Sequence, residues 1–314
     1  MVILRRAVDG SQQPAWGGDP IIPAGKAQGR LPTLKMPTAR GWDPGQLPVA
    51  APGLKVNAFA AGLKHPRWIY VLPNRDVLVS EAMNSSRAPR NFFDYAMVAT
   101  MQRAGAWGKS PNLITLLRDT DGDGVAEIQQ TFMDGLNMPF GMELVGDTFY
   151  VGATDGIMAF PYVPGAARIT GPGRRLTTFK PGGHWTRSLL VSPDKRKLYA
   201  GVGSATNIAD NGMEAEEGRA AIHELDLTTG VSRIFASGLR NAVGMAWEPQ
   251  TDVLWTVVNE RDGLGDETPP DYLTSVRDGG FYGWPYCYWD RIVDRKSTRL
   301  NSSHVSESRM PSSA

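Results

Sequence analysis

Three residues have side chains suited to proton transfer and to holding an oxygen-rich ligand. His184 follows Pro-Gly-Gly, a flexible sequence that permits close approach to other backbone. An imidazole, with an ordinary pKa of about 6.5, can accept a proton from a hydroxyl group at neutral pH. Arg240 and Asn241 place a permanent cation beside an amide, and a guanidinium suits an anionic or quinonoid oxygen because it donates forked hydrogen bonds. The alternatives are a structural histidine and a salt bridge that caps a strand.

Two acidic segments offer the hard oxygen donors that calcium binds. Asp119, Asp121 and Asp123 alternate as at the start of an EF-hand loop, but the twelfth position is Gln130 instead of a bidentate glutamate. A glycine-rich turn between two strands explains this segment at least as well. Residues 259–267, Asn-Glu-Arg-Asp-Gly-Leu-Gly-Asp-Glu, follow an apolar run and can supply carbonyl and carboxylate ligands. A solvated acidic turn is the alternative there.

The elements that must position these residues come from a repeat. Four segments share a polar or Pro/Gly-rich start, an apolar run, a tight turn and a second apolar run, and they begin at His65, Met138, His184 and Arg240. Further strand-like stretches follow each hairpin. About four strands in roughly 40 to 50 residues are typical of a β-propeller blade. The first unit is longer because residues 91–108 are inserted, a stretch that can form a helix.

Propeller geometry turns this repeat into a predicted site. The first strand of each blade lines the central axis and the second runs antiparallel to it, so first-strand starts and second-strand ends share one face, here called the pocket face. The starts are His65, Asn137, Met138, His184, Arg240 and Asn241. The ends are Glu81, Asp155, Ser204 and residues 259–262. The hairpin turns, at Asn74, Asp194 and Gln250, fall on the opposite side, here called the turn face.

Composition limits the classes of partner. The 314 residues include 33 basic and 32 acidic side chains, for a formal charge of +1. Binding to nucleic acid or to an anionic membrane would need a local basic patch, and the body of the chain has none. The single Cys287 excludes an internal disulfide framework and a cysteine-based zinc cluster. No stretch reaches the roughly 18 apolar residues of a membrane span, and the apolar start is too short for a visible signal peptide.

The chain divides into three parts. Residues 1–53 hold eight Pro and eight Gly, which predicts an extended arm. Residues 54–294 contain the repeats and predict a partial propeller. Residues 295–314 contain seven Ser and no aromatic residue, so this tail lacks the apolar area to pack and is predicted to be disordered. It resembles a translated, non-native adapter end, which would place the true C-terminus beyond this sequence.

Four ordered motifs carry a family resemblance. They are Gly-His-Trp-Thr-Arg-Ser-Leu-Leu-Val-Ser-Pro-Asp from residue 183, Gly-Leu-Arg-Asn-Ala-Val-Gly-Met-Ala-Trp from 238, Asn-Glu-Arg-Asp from 259 and Gly-Phe-Tyr-Gly-Trp-Pro from 280. Together they resemble the glucose/sorbosone dehydrogenase family, closest to its L-sorbosone dehydrogenase-like branch. The resemblance implies an all-β, six-bladed propeller, of which about four blades are present. It also implies the cofactors pyrroloquinoline quinone (PQQ) and calcium, and a periplasmic or other extracytoplasmic location.

The resemblance also implies residue roles. His184 matches the family's catalytic base, Arg240 and Asn241 match its quinone-contacting pair, and the backbone carbonyls of Arg261 and Asp262 match its calcium ligands. The glucose-oxidising branch has an aspartate that orients the base. Here the sequence from residue 203 reads Gly-Ser-Ala-Thr-Asn, so that partner is missing or replaced by Ser204 or Asn207. The family's other quinone-binding basic residues lie in the last two blades, which this chain does not reach.

The favoured interpretation is a C-terminally truncated PQQ- and calcium-dependent dehydrogenase with impaired activity. It would oxidise an aldose or sorbosone-type sugar and pass electrons to an external acceptor. A calcium-dependent sugar lactonase on a similar propeller is an alternative, although it would need several carboxylates on the axis. A non-catalytic propeller that serves as a binding platform is the other alternative.

Overall fold

The computed structural model describes residues 38–43, 45–84, 92–265, 268–288 and the backbone of 292–293. Within these ranges the chain forms β-strands, one α-helix and one short 3-10 helix, Met213–Glu216. The first half of the strands are β1 (Pro66–Val71), β2 (Val77–Glu81), β3 (Leu113–Arg118), β4 (Ile128–Met133), β5 (Met142–Val145), β6 (Thr148–Ala153), β7 (Gly156–Pro161) and β8 (Arg174–Thr178). The remainder are β9 (Leu189–Val191), β10 (Lys197–Val202), β11 (Ala221–Asp226), β12 (Ser232–Ser237), β13 (Ala242–Trp247), β14 (Leu254–Val258), β15 (Tyr272–Val276), β16 (Cys287–Tyr288) and β17 (Ile292–Val293).

Four antiparallel sheets follow one another along the chain. Strands β1 to β4, β5 to β8 and β9 to β12 each form a four-stranded meander in sequence order, and β13 to β15 form a three-stranded sheet. The expected all-β propeller with four blades is therefore confirmed. The helix α1 (Phe92–Arg103) lies in the predicted insertion of the first blade.

Side-chain alternation along the strands explains why the blades stack. In β14 the side chains of Leu254, Thr256 and Val258 are buried, whereas Trp255 and Val257 point outward. This two-residue period places one apolar face against the preceding blade. Three apolar clusters fill the successive spaces between blades, and the first includes Phe132 and Phe149 with ring centroids 5.5 Å apart, edge to face.

The fourth blade differs from the expected four-stranded unit. After β15 the chain turns back and lies along β12 of the third blade, where the amide of Ser237 donates to Gly280 and the amide of Tyr282 donates to Ser237. Gly238 permits this approach, because a Cβ there would lie only 2.8 Å from the amide nitrogen of Gly283. Two of the recognised motifs, from residues 238 and 280, are thus packed against each other. The strands β16 and β17 form a separate short pair.

The helix α1 ends at a glycine. The amide of Ala106 donates to Met101 and that of Gly105 to Gln102, a Schellman arrangement in which Gly105 has a φ of +69°. Ala39, from the predicted arm, donates to Arg103. The rest of the arm before residue 38 and the predicted tail 295–314 lie outside the described residues. No helix in the described part of the chain combines the length and apolar character needed to cross a lipid bilayer.

Candidate functional site

The pocket face is assembled from main-chain bonds that repeat in each blade. The start of each first strand is hydrogen-bonded to the end of its second strand. The pairs are His65 with Ala82, Asn137 with Thr154, His184 with Ser204, and Asn241 with Asn259. One apolar cluster with members from all four blades lies among these starts, formed by Trp68, Ala82, Met138, Phe140, Trp185 and Val243. The predicted convergence of strand starts on one face therefore agrees with the structure.

The hydrogen bonds of His184 define its tautomer. Its Nδ1 lies 2.9 Å from the carbonyl oxygen of Ser204 and 3.0 Å from the hydroxyl oxygen of the same residue. That hydroxyl donates its own hydrogen to the carbonyl of Thr206, at 2.7 Å. Because both neighbours of Nδ1 can only accept, Nδ1 carries the hydrogen and Nε2 keeps its lone pair. His184 is therefore arranged as a proton acceptor.

The surroundings of His184 keep it neutral. Burial lowers the pKa of its imidazole to about 4, and the cation of Arg240 adds to this effect. The ring is consequently unprotonated at neutral pH. Ser204, one of the two candidates named from the sequence, is fully buried and is the residue that Nδ1 of His184 contacts. Asn207, the other proposed replacement, is instead bonded to Arg240 and Asp262.

A buried carboxylate that sequence reasoning missed holds the loop after Ser204. The side chain of Glu216 accepts hydrogen bonds from the amides of Ala205 and Thr206 and from the hydroxyl of Thr206. Glu216 belongs to the 3-10 helix between β10 and β11, outside the repeated hairpins. Its position in the sequence, a glutamate among exposed acidic neighbours, carried no signal of this role.

Arg240 has protein acceptors for all five of its N–H groups. Its Nε donates to the carbonyl of Asn207. Its Nη1 donates to the carbonyls of Asn259 and Glu260, and its Nη2 donates to the side-chain oxygens of Asn207 and Asp262. Only 5% of the side chain is exposed. The guanidinium therefore ties the loop after β10 to the end of β14. In this arrangement it has no donor left for a quinone oxygen, which differs from the direct contact that the resemblance implies.

Asn241 lies next to the base. Its amide nitrogen is 3.3 Å from the side-chain oxygen of Asn259, while its own amide oxygen is buried and has no hydrogen-bond partner among the described residues. A Cβ at Gly203 would lie 2.3 Å from that oxygen and 2.5 Å from the Cβ of His184. Glycine at 203 therefore allows Asn241 and His184 to pack on the same segment.

The expected calcium ligands are engaged differently. The carbonyl oxygen of Asp262 accepts hydrogen bonds from the Arg261 guanidinium at 3.0 and 3.1 Å and from the Asn207 amide at 3.0 Å. A cation at this oxygen would face the positive charge of Arg261. The side chain of Asp262 is 86% exposed and pairs with Arg240. These residues, as arranged, do not fit a calcium ion.

The aspartate-rich segment lies elsewhere. Carboxylate oxygens of Asp119, Asp121, Asp123 and Glu127 lie within 4.8 Å of one another. The two oxygens of Asp119 accept from the amides of Gly122 and Gly124. This loop joins the end of β3 to β4 on the turn face, away from His184. Its hydrogen bonds match the interpretation as a glycine-rich turn.

Arg67 is a second site residue that sequence reasoning missed. Its Nε donates to the carbonyl of Ala82 at 2.8 Å, and its guanidinium lies 5.4 Å above the ring of Trp185, the neighbour of His184. The terminal nitrogens of Arg67 have no hydrogen-bond partner among the described residues. Because Trp185 is buried, the guanidinium above it is the part of this pair that an anionic ligand would contact. The position of Arg67, two residues after the first-strand start, was the available signal.

A groove of about 680 Å³ lies on the turn face between the third and fourth blades. It is lined by Trp247, Trp255, Glu248 and Arg277, among others. Because Trp247 and Leu254 close the hairpin at the end opposite Ala242, this groove is remote from His184. His184 and this groove therefore lie on different faces of the described blades.

The fold and site together define a β-propeller protein with a histidine and an arginine–asparagine pair at the starts of its inner strands. Residues 109–308 match the protein-family model described as TrAA12-like, and the chain belongs to this family. A pyrroloquinoline quinone-dependent sugar dehydrogenase of Hypocrea jecorina is 25% identical over 269 residues, which cover 77% of this chain and 57% of that protein. The predicted resemblance to PQQ-dependent sugar dehydrogenases is thus confirmed. Closeness to the sorbosone branch stays a prediction.

Solved structures share the fold. The iodide structure of the Trichoderma reesei carbohydrate-active enzyme of family AA12 has 23% identity and a TM-score of 0.61, and the match covers 77% of this chain and 60% of that one. The PQQ domain of pyranose dehydrogenase from Coprinopsis cinerea has 19% identity and a TM-score of 0.57, covering 76% and 58%. The chain therefore spans somewhat less than two thirds of the length of these relatives.

Proposed function

We propose that the protein is a PQQ-dependent oxidoreductase that oxidises a hydroxyl group of an aldose or sorbosone-type sugar. The observation that carries this proposal is the state of His184 on the pocket face: a neutral ring with Nδ1–H bonded to Ser204 and Nε2 unprotonated. A sugar hydroxyl must lose its proton as the carbon is oxidised, and Nε2 is the atom that takes it. When bound, PQQ supplies the two-electron oxidant for that carbon.

The other residues prepare the site for this proton transfer. The guanidinium of Arg67, which lies above the ring of Trp185, offers its terminal donors to a carboxylate. Arg240 acts through the loop it holds, while Asn241 borders both that loop and His184. The apolar cluster around Phe140 excludes water below the site.

Calcium at the carbonyls of Arg261 and Asp262 remains a prediction of the resemblance alone. It would require the Arg261 guanidinium to leave the Asp262 carbonyl, so no step of the proposed reaction is routed through a metal ion. An extracytoplasmic location and an external electron acceptor belong to the same proposal.

We also propose that this chain, as given, binds PQQ weakly. Among the described residues of the pocket face, Arg67 offers its two terminal nitrogens to a cofactor with three carboxylates. Weak, saturable binding and slow turnover are the expected behaviour.

The test is a titration with PQQ followed by sugar. Tryptophan fluorescence reports binding, and the quinone absorption is then recorded with and without a panel of aldoses and sorbosone, each with calcium and with a chelator. Sugar should lower the quinone absorption with the wild-type chain. In the His184→Gln variant the rate should fall by about 10² to 10⁴ because the general base is lost, while PQQ binding is kept.

Two outcomes contradict the proposal. The first is that PQQ does not bind at any concentration. The second is that bound PQQ is reduced by sugar at the same rate in the wild type and in His184→Gln. Calcium-dependent hydrolysis of a sugar lactone without any change in the quinone spectrum would favour the lactonase alternative.

A further inference from the structure

A buried arginine lies behind His184 and is bonded only to main-chain oxygens. The guanidinium of Arg219 donates to five carbonyl groups, at 2.6 to 3.2 Å. They belong to Lys180, Gly182, His184, Gly203 and Ser204. Arg219 is 6% exposed, and no carboxylate among the described residues lies within ion-pair distance of it.

Two of these acceptors decide the orientation of the imidazole. The carbonyl oxygen of Ser204 accepts from Arg219 at 3.2 Å, from the backbone amide of His184 at 3.0 Å and from Nδ1 of His184 at 2.9 Å. The carbonyl of His184 itself accepts from Arg219 at 3.0 Å. One guanidinium thus fixes the backbone that carries the ring and the oxygen to which the ring donates.

We propose that Arg219 is a positioning residue for His184: by holding the carbonyl oxygens of His184 and Ser204, it fixes the imidazole with its hydrogen on Nδ1 and its lone pair on Nε2. This inference rests on the proposed function, since it assigns Arg219 a part in preparing the base. Arg219 touches neither Nε2 nor the apolar cluster around Phe140 in any described contact, so its effect is exerted through the two carbonyls.

A second buried arginine provides a matched comparison. Arg187 is fully buried and also donates to the carbonyl of His184, at 2.8 Å, but its other acceptors are Thr186 and Lys180. It has no described bond to Ser204. Both residues are cations behind the same loop, and only Arg219 shares an acceptor with the ring. A difference between their variants therefore separates ring positioning from support of the loop.

Two cations near the ring act in the same direction as its burial. Burial lowers the pKa of His184, and the cations of Arg240 and Arg219 lower it further, while the carboxylate of Asp262 opposes them. Removing the charge of Arg219 should therefore raise the pKa of His184. A lysine at position 219 keeps the charge but loses the forked donors. Charge and hydrogen-bond geometry can thus be separated with two substitutions at one position.

The experiment is NMR of the histidine imidazole nitrogens in the full chain without cofactor. The chain has four histidines, and the His184 signals are identified by their loss in His184→Gln. In the wild type we expect the Nδ1–H form at neutral pH. Arg219→Lys should populate the second tautomer without removing the charge. Arg219→Gln should also populate the second tautomer, and it should move the pKa of His184 toward the ordinary value of about 6.5.

Arg187→Lys keeps a positive charge at position 187 and leaves the hydrogen bond from Arg219 to Ser204 in place. This variant should therefore retain the wild-type tautomer. The proposal is overturned if folded Arg219→Lys shows the wild-type tautomer, or if Arg187→Lys changes the ring as much as Arg219→Lys does. Unfolding of Arg219→Gln alone does not decide the matter, because the lysine variant carries the tautomer test. The readout needs neither PQQ nor sugar, so a failure of the proposed oxidation would be seen separately.

Discussion

The Nδ1 atom of His184 has two acceptors, both from Ser204, while burial and Arg240 disfavour the protonated ring. An acceptor of this kind is a weaker base than an ordinary histidine, but it is unprotonated over a wider pH range. Arg240 shows the opposite situation. The sequence predicted that Arg240 contacts a ligand oxygen, yet all five of its donors are used by the protein.

The pH dependence of sugar-driven PQQ reduction should report this state. Because the neutral ring is the active form, the rate falls as pH falls through the pKa of His184. We expect the acid limb of kcat/KM to have a midpoint of about 4, below the ordinary value of about 6.5. A midpoint near the ordinary value, measured with sugar and PQQ limiting, would contradict the described environment of His184.

A different buried group, the carboxyl of Glu143, should control how the stability of the fold depends on pH. Burial raises the pKa of Glu143, on β5, to about 7, with only a long hydrogen bond of 3.4 Å from the amide of Val191 to oppose it. In the unfolded chain this carboxyl ionises near 4.5, whereas the folded protein keeps it protonated up to about 7. Its contribution to stability is therefore full below about 4.5 and is lost as pH rises to 7.

Replacing this carboxyl by an amide should remove that loss. Glu143→Gln is expected to raise the free energy of unfolding at pH 8 relative to wild type, by up to about 3 kcal/mol, and to leave it nearly unchanged at pH 4. Urea unfolding at both pH values measures this, with the exposed Glu214→Gln as the matched control. An equal effect of Glu143→Gln at both pH values would show that the carboxyl is not held protonated.

Among the secondary-structure elements, the close approach of the second blade to the segment that begins β9 depends on glycine. A Cβ at Gly152, in β6, would lie 2.2 Å from the carbonyl oxygen of Arg187, and one at Gly141 would lie 2.3 Å from the amide nitrogen of Leu189. Both neighbours are backbone of the third blade, so neither can move as a flexible side chain could. The seam between the second and third blades therefore has no room for a side chain there.

Gly152→Ala should consequently destabilise the protein. The added methyl group must displace backbone next to Arg187, at a cost of about 1 to 3 kcal/mol or more. Gly171→Ala, at an exposed position where nothing lies within 4 Å of the added Cβ, should change stability by less than about 0.5 kcal/mol. Chemical unfolding of the two variants compares them, and equal stability would contradict the described seam.

The repeat predicted the blades because alternating apolar residues and tight turns are local signals. It placed His184, Arg240 and Asn241 at strand starts for the same reason. It could not show that Asn207 binds Arg240, since Asn207 comes from the loop after β10, outside the aligned hairpins. Arg219, next to β11, was missed because a buried arginine that binds only carbonyl groups has no spacing pattern.

For the whole molecule, the fourth blade exposes an apolar surface on the side away from the third. This surface, here called the outer face, consists of Trp255 and Val257 of β14 and Leu273 of β15, which are 36%, 47% and 64% exposed. Val257 and Leu273 are direct neighbours in the strand register. Within the described residues β15 pairs only with β14.

Such a surface should make the chain self-associate. The innermost strand of the first blade exposes Ile69 and Val71, at 65% and 58%, and supplies a second apolar strip at the other end of the blade series. Contact between the outer face of one copy and this strip of another would be heterologous, so association should be open-ended and should increase with concentration. Sedimentation velocity over a range of concentrations is expected to show species larger than the monomer.

The double variant Val257→Lys with Leu273→Lys should shift this distribution toward monomer, because it places two charges on the outer face without changing a buried position. Val163→Lys, at a residue 69% exposed in the loop after β7, is the matched control and should leave association unchanged. If the wild-type chain is monomeric at every concentration, or if the double variant associates as strongly as the control, the outer face is not the contact surface.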